Sequence, residues 1–291
     1  MLYRTKQNKH PFHIVSTSGL PALVALWVFI VFFLTVFIMH RNFSTFLALT
    51  CGVFANNINI YFILFLVFFA SILVSEWFYD ICVESKTYHS LEVQNGLKFG
   101  MVLFITSEVM FFFGFFWAFF HCSLNPSIWI GAIWPPIGID TLNPWGLPFL
   151  NTVLLLSSGF TLTDAHWHLL NRKDIKAFDL SLSNKNSPLM LAMHFTIFYG
   201  VFFTLFQAVE YMEAPFSINS GIYGSIFFLM TGFHGFHVFI GTLMLIVCTI
   251  RIHYSHFVYN HHVGFEASAW YWHFVDVVWI FLFIFLYWWG S

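Results

Sequence analysis

One acidic side chain, Glu108, lies near the start of the almost entirely apolar stretch TSEVMFFFGFFWAFFH, residues 106–121, and no basic residue stands beside it. A carboxylate in apolar surroundings costs several kcal/mol unless it is protonated, paired or hydrated. Thr106 and Ser107 are close enough in sequence to hydrogen-bond it. The roles open to this acid are a structural hydrogen bond between helices, or else a proton-responsive or lipid-facing role.

Three further acids lie in or beside apolar sequence. Asp276, in WYWHFVDVVW, follows His273 by three residues, so a helix places both on one face. This spacing predicts a His–Asp pair that locks the helix to its neighbours. Glu210 and Glu213, in EYMEAPF, could act as an acid and a base. No pocket or substrate-binding group can be argued beside them, so surface placement is the favoured interpretation.

The 15 histidines raise the question of metal or haem ligation, because neutral imidazole binds transition metals and haem iron. The favoured interpretation is instead that they hydrogen-bond across helices or lie at the membrane interface. A two-haem cytochrome would pair histidines on two facing helices, and no such pattern is found. The groups are His234 and His237 in GFHGFHVFIG, then Asp164, His166 and His168 in DAHWH, then His253, His256, His261 and His262 in HYSHFVYNHH.

Other residue types point away from metal and phosphate chemistry. The four cysteines, at positions 51, 82, 122 and 248, form no closely spaced pair, which argues against thiolate metal sites and disulfides. No phosphate-binding glycine loop or nucleophile motif is present, and basic residues are too few for nucleic acid. We therefore expect no metal on this chain. Gly232, Gly235 and Gly241 are expected to let helices approach closely.

The elements that must position these side chains are membrane helices. The 291 residues are 59% hydrophobic and only 8% charged, whereas soluble domains carry about a quarter charged residues. Long uncharged runs match the roughly 20 residues that cross a bilayer core. The sequence predicts an all-α polytopic membrane protein with one domain over residues 1–291. The seven predicted helices are at 20–39, 58–79, 97–121, 148–170, 189–212, 222–251 and 268–288.

Basic residues also predict the orientation of these helices. With seven spans, the N-terminus and the even-numbered loops lie on one side of the membrane, and only Arg41 of the 11 basic residues lies on the other. Such an excess marks the cytoplasmic or matrix side. An excess of phenylalanine, with 42 residues, suggests an AT-rich organelle genome. We therefore expect a multi-pass protein with its N-terminus in the mitochondrial matrix and its C-terminus in the intermembrane space.

Several long motifs resemble the cytochrome c oxidase subunit III family. They cover nearly the whole chain in order, from HPFHIV near the start to YWWGS at the end. Between them lie FITSEVMFFFGFFWAFFHCSL, WPPIGI, EYMEAPF, GIYGSIFFLMTGFHGFHVFIGT and HHVGFEASAWYWHFVDVVW. The resemblance implies a seven-helix subunit of the proton-pumping terminal oxidase of the respiratory chain. It also implies a lipid-holding cleft between helices 1–2 and helices 3–7.

The resemblance further implies what this chain binds and what its partners bind. It implies no catalytic residue and no redox centre here, since haem a and copper belong to partner subunits, while phospholipid is bound. Subunit I is the main partner, with subunit II and accessory subunits in the same complex. The family's membrane glutamate maps onto Glu108. We take Trp77, Phe78, Glu84, His89 and Trp117 as lipid-binding candidates. From their positions in apolar sequence, we expect His234, His237, His273 and Asp276 to be structural intramembrane polar residues.

This sequence departs from the family pattern at several places, among them the end of helix two and an inner loop. After helix two, the family's Trp-Trp-Arg-Asp is replaced by Trp77–Asp80, WFYD, and Val83 stands where a second arginine is usual. This puts the lipid head-group contacts in doubt. A polar segment at 174–187 lengthens an inner loop, and we expect it to contact a lineage-specific partner. Two alternatives stay open, namely a quinol oxidase subunit III and a free-standing haem-binding membrane oxidoreductase.

Overall fold

The described residues form seven α-helices, the number that the sequence predicts. The computed structural model describes residues 11–39, 55–171, 187–258 and 260–291, with side chains for all of these except 37–39 and 55–63. The expected partner contact at 174–187 therefore falls almost wholly outside the described residues. The helices are α1 Leu20–Met39, α2 Ala55–Glu84, α3 Leu91–Leu124, α4 Leu147–Leu170, α5 Pro188–Glu213, α6 Gly221–His253 and α7 Val263–Leu282, which continues as a π-helical turn over Phe283–Trp288.

Local sequence explains where several helices begin and end. Ser187 caps α5 by accepting a hydrogen bond from the backbone N–H of Met190, and Pro188 occupies the first turn. Helix α3 ends at Leu124. Pro126 follows two residues later, and helical geometry is disfavoured for the residue just before a proline. Its 34 residues correspond to about 51 Å, which exceeds the roughly 30 Å of a bilayer core. The predicted bounds were therefore too short at both ends of α3.

Five helices in the described part of the chain are long and apolar enough to cross a membrane. They are Leu64–Glu84, Leu91–Leu124, Pro188–Glu213, Gly221–His253 and the run from Val263 to Trp288, while the described apolar part of α1 is shorter. Helix α4 is more polar, and hydroxyl groups such as those of Thr152 and Ser157 donate to backbone carbonyls one turn earlier. These bonds give each hydroxyl hydrogen an acceptor within its own helix.

The chain divides into two compact units, residues 1–95 and residues 96–291, with the boundary inside α3. In the first unit α1 packs on α2, with the rings of Trp27 and Phe69 4.6 Å apart. In the second unit α4 packs closely on α5, α5 on α6, and α6 on α7. The single domain and the lipid-holding cleft stay predictions.

Trp272 of α7 occupies the centre of the second unit, where it is fully buried and donates from Nε1 to the hydroxyl of Ser158 at 2.8 Å. Two glycines of neighbouring helices make room for its ring. A Cβ atom at Gly200 would lie 2.6 Å from the ring, and one at Gly241 would lie 2.8 Å from it. Gly241 thus has the packing role predicted for it. Gly232 and Gly235 have no such contact within the described residues, since the nearest described atom would lie 3.9 Å from a Cβ there.

Within the second unit, α3 contacts its neighbours largely through aromatic rings. Large side chains keep helix backbones apart, in contrast to the close contacts made at glycine. Edge-to-face and stacked pairs join α3 to α6 and to the C-terminal helix. They include Phe111 with Phe233, Phe112 with Phe274, and Phe120 with Phe285.

Candidate functional site

Glu108 has a partner, which is His237 of α6. Its Oε2 atom lies 2.8 Å from Nε2 of the imidazole, and the two side chains are 23% and 8% exposed. The other ring nitrogen, Nδ1, lies 2.6 Å from the backbone carbonyl oxygen of Phe233, one turn earlier on α6. The helix therefore holds the imidazole, and the imidazole holds the acid across the gap between α3 and α6.

The hydrogen bonds of His237 determine how many protons the pair carries. A carbonyl oxygen can only accept, so Nδ1 carries a hydrogen and donates it to Phe233. The contact from Nε2 to Glu108 then needs one more proton. That proton is either on the imidazole, which gives an ion pair, or on the carboxyl group, which gives a neutral pair. Both states have zero net charge, so the proton can move across the bond without placing an unpaired charge in the apolar region.

Aromatic rings surround this pair. The imidazole of His237 lies 5.1 Å from the ring of Phe112, and its ring stacks with Tyr271 at 6.2 Å. The ring of Phe274 lies 6.3 Å away. Apolar surroundings strengthen a hydrogen bond between the two groups because little water competes for it. The result is a localised polar pair inside the Phe-rich contact between α3, α6 and α7.

The hydroxyl groups of Thr106 and Ser107, beside Glu108 in the chain, donate to backbone carbonyls and not to its carboxyl group. Thr106 donates to the carbonyl of Val102, and Ser107 donates to the carbonyl of Phe104. These local bonds are the usual ones for Ser and Thr in a membrane helix. The suggestion that either hydroxyl bonds Glu108 was therefore wrong.

His234 differs from His237 although both lie on one face of α6. It is 1% exposed, and neither of its ring nitrogens has a hydrogen-bond partner in the described part of the chain. Its ring stacks on Trp279 at 5.2 Å and meets the ring of Phe203 edge-on at 5.7 Å. Ring packing, and no cross-helix hydrogen bond, holds His234 in place.

Asp276 and His273 are neighbours without a hydrogen bond. Nδ1 of His273 lies 3.7 Å from Oδ2 of Asp276, which is beyond hydrogen-bond range. The imidazole is 44% exposed, while the carboxyl group is buried against Gly159 of α4. A Cβ at Gly159 would lie 2.7 Å from Oδ2. Asp276 therefore contacts α4 by close packing against Gly159, and the predicted pair with His273 contributes less to this contact.

The predicted surface placement of Glu210 is wrong, whereas Glu213 is exposed. Glu210 is 2% exposed, and its Oε1 accepts hydrogen bonds from the hydroxyl of Tyr287 at 2.5 Å and from Nε2 of Gln207 at 3.2 Å. Asn151 of α4 donates in turn to the side-chain oxygen of Gln207 at 3.4 Å. This network joins α4, α5 and the π-helical turn after α7.

A family model described as cytochrome c oxidase subunit III matches residues 10–291. The chain belongs to the cytochrome c oxidase subunit III family.

Three similar proteins, each named cytochrome c oxidase subunit 3, are nearly as long as this chain. The Marchantia polymorpha protein is 49% identical over 288 residues, which is 98% of each chain. The Prototheca wickerhamii protein is 46% identical over 98% of this chain and 99% of its own length. The Madoqua guentheri protein is 46% identical over 97% of this chain and 98% of its own. As a family member, the chain is a membrane-embedded subunit of cytochrome c oxidase, in a complex with other oxidase subunits.

In this oxidase subunit, the lipid-binding candidates fall in two places. Trp77 and Phe78 are exposed on the last turns of α2, where Glu84 ends the helix. His89 follows in the loop, and its ring lies 5.7 Å from that of His13. Trp117 is 67% exposed on α3, which belongs mainly to the second unit.

Trp117 lines an apolar groove of about 690 Å³ between α3 and the C-terminal helix. Phenylalanines 112, 113, 116, 120, 281 and 285 form most of its wall, while His121 and Asn125 stand at the end of α3. The wall of this groove is mostly apolar, and polar side chains stand at one end of it. Sequence analysis singled out Trp117 but not the groove, because the groove needs the register between two helices that are far apart in the chain.

Proposed function

We propose that this chain is a non-redox subunit that packs on subunit I, holds phospholipid and supports proton uptake and turnover stability of the oxidase. The hydrogen-bonded pair of Glu108 and His237 is the observation that carries this proposal. Its hydrogen bonds require one proton between the imidazole and the carboxyl group, and the pair has zero net charge whichever of the two carries it. Such a pair can respond to a proton or an electric field nearby at little electrostatic cost.

The groove lined by Trp117 supports the lipid part of the proposal. An acyl chain matches its apolar wall, and His121 and Asn125 offer polar groups for the head-group end. Lipid at this position would fill the space that the phenylalanines leave between α3 and the C-terminal helix. It would also solvate the exposed side of the same helix that carries Glu108.

Cofactors, partners and location complete the proposal. This chain takes no catalytic part, haem a and copper are held by partner subunits, and subunit II and accessory subunits join subunit I around it. Its location is the mitochondrial inner membrane, with the N-terminus in the matrix. The excess of basic residues on the N-terminal side supports this orientation.

The cofactor proposal predicts a simple spectroscopic result. When the complex is purified through this chain in mild detergent, its reduced-minus-oxidised spectrum should show a-type haem. When this chain is then dissociated from the complex by stronger detergent, it should be colourless while the rest keeps the haem bands. Haem that travels with the separated chain would contradict the proposal and favour a haem-binding protein.

The proton proposal predicts the behaviour of Glu108→Gln. A glutamine amide can still donate to Nε2 of His237, so the bridge between α3 and α6 is kept and the complex should assemble normally. The amide cannot exchange a proton with the imidazole. We therefore expect a modest loss of sustained proton pumping and a shorter turnover lifetime. The measurements are proton-to-electron ratios in vesicles and the number of turnovers before activity is lost.

Glu213→Gln is the matched control, because Glu213 is an exposed carboxylate at the end of α5. It should behave as the unaltered enzyme in both measurements. If Glu108→Gln prevents assembly, the acid has a structural role only. If it assembles and pumps for as long as the control, the pair has no part in proton handling.

A further inference from the structure

A second cluster of ionisable side chains lies at the end of the second unit where α4 ends and α7 begins. His166 lies in the last two turns of α4, His262 caps the start of α7, and Glu266 is in its first turn. One ligand atom from each, a ring nitrogen or a carboxylate oxygen, lies within 4.8 Å of the other two. The imidazole rings meet edge-on with centroids 5.9 Å apart.

His262 is oriented so that one nitrogen is a free electron-pair donor. Its Nδ1 lies 3.0 Å from the backbone carbonyl oxygen of Val258, so Nδ1 carries the hydrogen. In the neutral ring, Nε2 then carries the lone pair. This nitrogen is buried and has no hydrogen-bond partner among the described residues. Metal-binding histidines are oriented in this way, with the second nitrogen donating to a carbonyl or carboxylate.

His166 contributes a second nitrogen of the same kind. Its Nε2 is buried and also lacks a hydrogen-bond partner in the described ranges. The ring of Phe265 lies 5.5 Å from it and helps to hold it in place. Each imidazole thus has a buried nitrogen without a hydrogen bond among the described residues, and one carboxylate lies beside them. This arrangement is costly in a helical bundle unless a proton, a cation or water binds the nitrogens.

One separation in the cluster matches that between two ligands of a small tetrahedral metal. Ligand atoms about 2.1 Å from such a metal lie about 3.4 Å from one another. Nε2 of His262 and Oε1 of Glu266 are 3.3 Å apart. Two histidines and one glutamate, with a fourth position open to water, form a ligand set that zinc uses.

Lys98 of α3 modifies the site. Its ammonium nitrogen lies 2.5 Å from Oε2 of Glu266, the oxygen that does not face His262. A metal on Oε1 would leave this ion pair in place. The positive charge of Lys98 would nevertheless repel the metal and weaken its binding. Lys98 therefore lowers the affinity of this site for zinc below that of the same three ligands without a neighbouring lysine.

The geometry points to a zinc site formed by His166, His262 and Glu266. This departs from the expectation, drawn from the sequence, that the chain binds no metal. Zinc there would join the last turns of α4 to the start of α7, so metal binding would stiffen this end of the bundle. The inference is independent of the proposed role of Glu108, which lies elsewhere on α3.

Zinc binding can be measured directly on the purified complex. The oxidase is treated with a chelator, dialysed against graded zinc concentrations, and its zinc content is measured by mass spectrometry. His262→Gln and Glu266→Gln should each bind one zinc ion fewer per complex, or bind it roughly tenfold more weakly. His261→Gln is the matched control, because His261 is the adjacent residue but no member of the cluster. It should keep the full zinc content.

Lys98→Gln provides a test that does not depend on removing a ligand. Loss of the competing positive charge should strengthen zinc binding, whereas a merely structural defect would weaken it or leave it unchanged. X-ray absorption at the zinc edge should show two imidazole ligands at the additional site. If Lys98→Gln, His166→Gln and the unaltered complex all bind zinc alike, the proposed site does not exist.

Discussion

Replacing Gly241 with alanine should lower the thermal stability of the oxidase complex, and replacing Gly200 should lower it more. A Cβ at Gly241 would lie 2.8 Å from the Trp272 ring, and one at Gly200 would lie 2.6 Å from the ring and 2.9 Å from the hydroxyl of Thr242. Real Cβ atoms do not come so close, so the helices must separate. Inserting a methyl group into a packed core costs about 1 to 3 kcal/mol. The measurement is the temperature at which this chain leaves the complex.

Gly235→Ala is the matched control, because Gly235 lies in the same helix as Gly241 and no atom of the described residues lies within 4 Å of a Cβ there. Since alanine favours helix more than glycine does, this variant should be as stable as the parent or slightly more so. Trp272→Phe tests the cause, because a smaller ring should relieve the clash of Gly241→Ala. If the two changes are simply additive, the clash with Trp272 is not the reason for the loss.

Much of the fold was predictable because bilayers restrict backbone structure so strongly. Uncharged runs predicted seven helices, and the described part of the chain contains seven. The ends were less predictable, since polar residues can continue a helix beyond the apolar core. Helix α2 runs to Glu84, well past the predicted end at residue 79. Hydropathy indicates where the apolar core of the bilayer ends, whereas capping groups and prolines determine where the helix itself ends.

The candidate site was only half predictable. Glu108 stands out because a lone acid in an apolar stretch is costly. Its partner, His237, is 129 residues away in the chain, and the sequence does not say which faces of α3 and α6 meet. The sequence also offered Thr106 and Ser107, which are nearer in the chain but bond their own helix. Pairing across helices depends on rotation and depth, and neither is encoded by local spacing.

The cluster at His166, His262 and Glu266 shows the same limit. Each histidine was noted in its own motif, and each motif alone favoured an interfacial side chain. The cluster exists because the end of α4 and the start of α7 meet in space. Metal sites whose ligands come from one motif can be seen in a sequence, whereas sites whose ligands come from separate helices require the fold.

Glu210 was misplaced for a related reason, because a residue near a helix end resembles a surface residue. The spacing of Gln207 and Glu210, three residues apart on one helical face, was the one local signal of a network. The hydroxyl of Tyr287 completes it from 77 residues away. An acid that accepts two hydrogen bonds while 2% exposed is part of the packing.

Replacing Glu210 with leucine should therefore destabilise the chain within the complex. The hydroxyl of Tyr287 would lose its acceptor, and the amide of Gln207 would keep only its 3.5 Å contact to that hydroxyl, while both stay buried. Each buried donor left without an acceptor costs about 1 to 3 kcal/mol. We expect this chain to leave the complex at a clearly lower temperature. The loss should exceed that caused by Tyr287→Phe, which removes one donor and leaves the carboxylate bonded to Gln207.

Glu210→Gln separates hydrogen bonding from charge. Its amide oxygen can accept the same two hydrogen bonds, so this variant should keep most of the stability that Glu210→Leu loses. If both variants are equally unstable, the hydrogen bonds that Oε1 accepts do not account for the role of Glu210, and the buried oxygen that the amide group replaces is required as well. If neither variant is unstable, the network between α4, α5 and the π-helical turn adds no stability to that supplied by the aromatic packing around Tyr287.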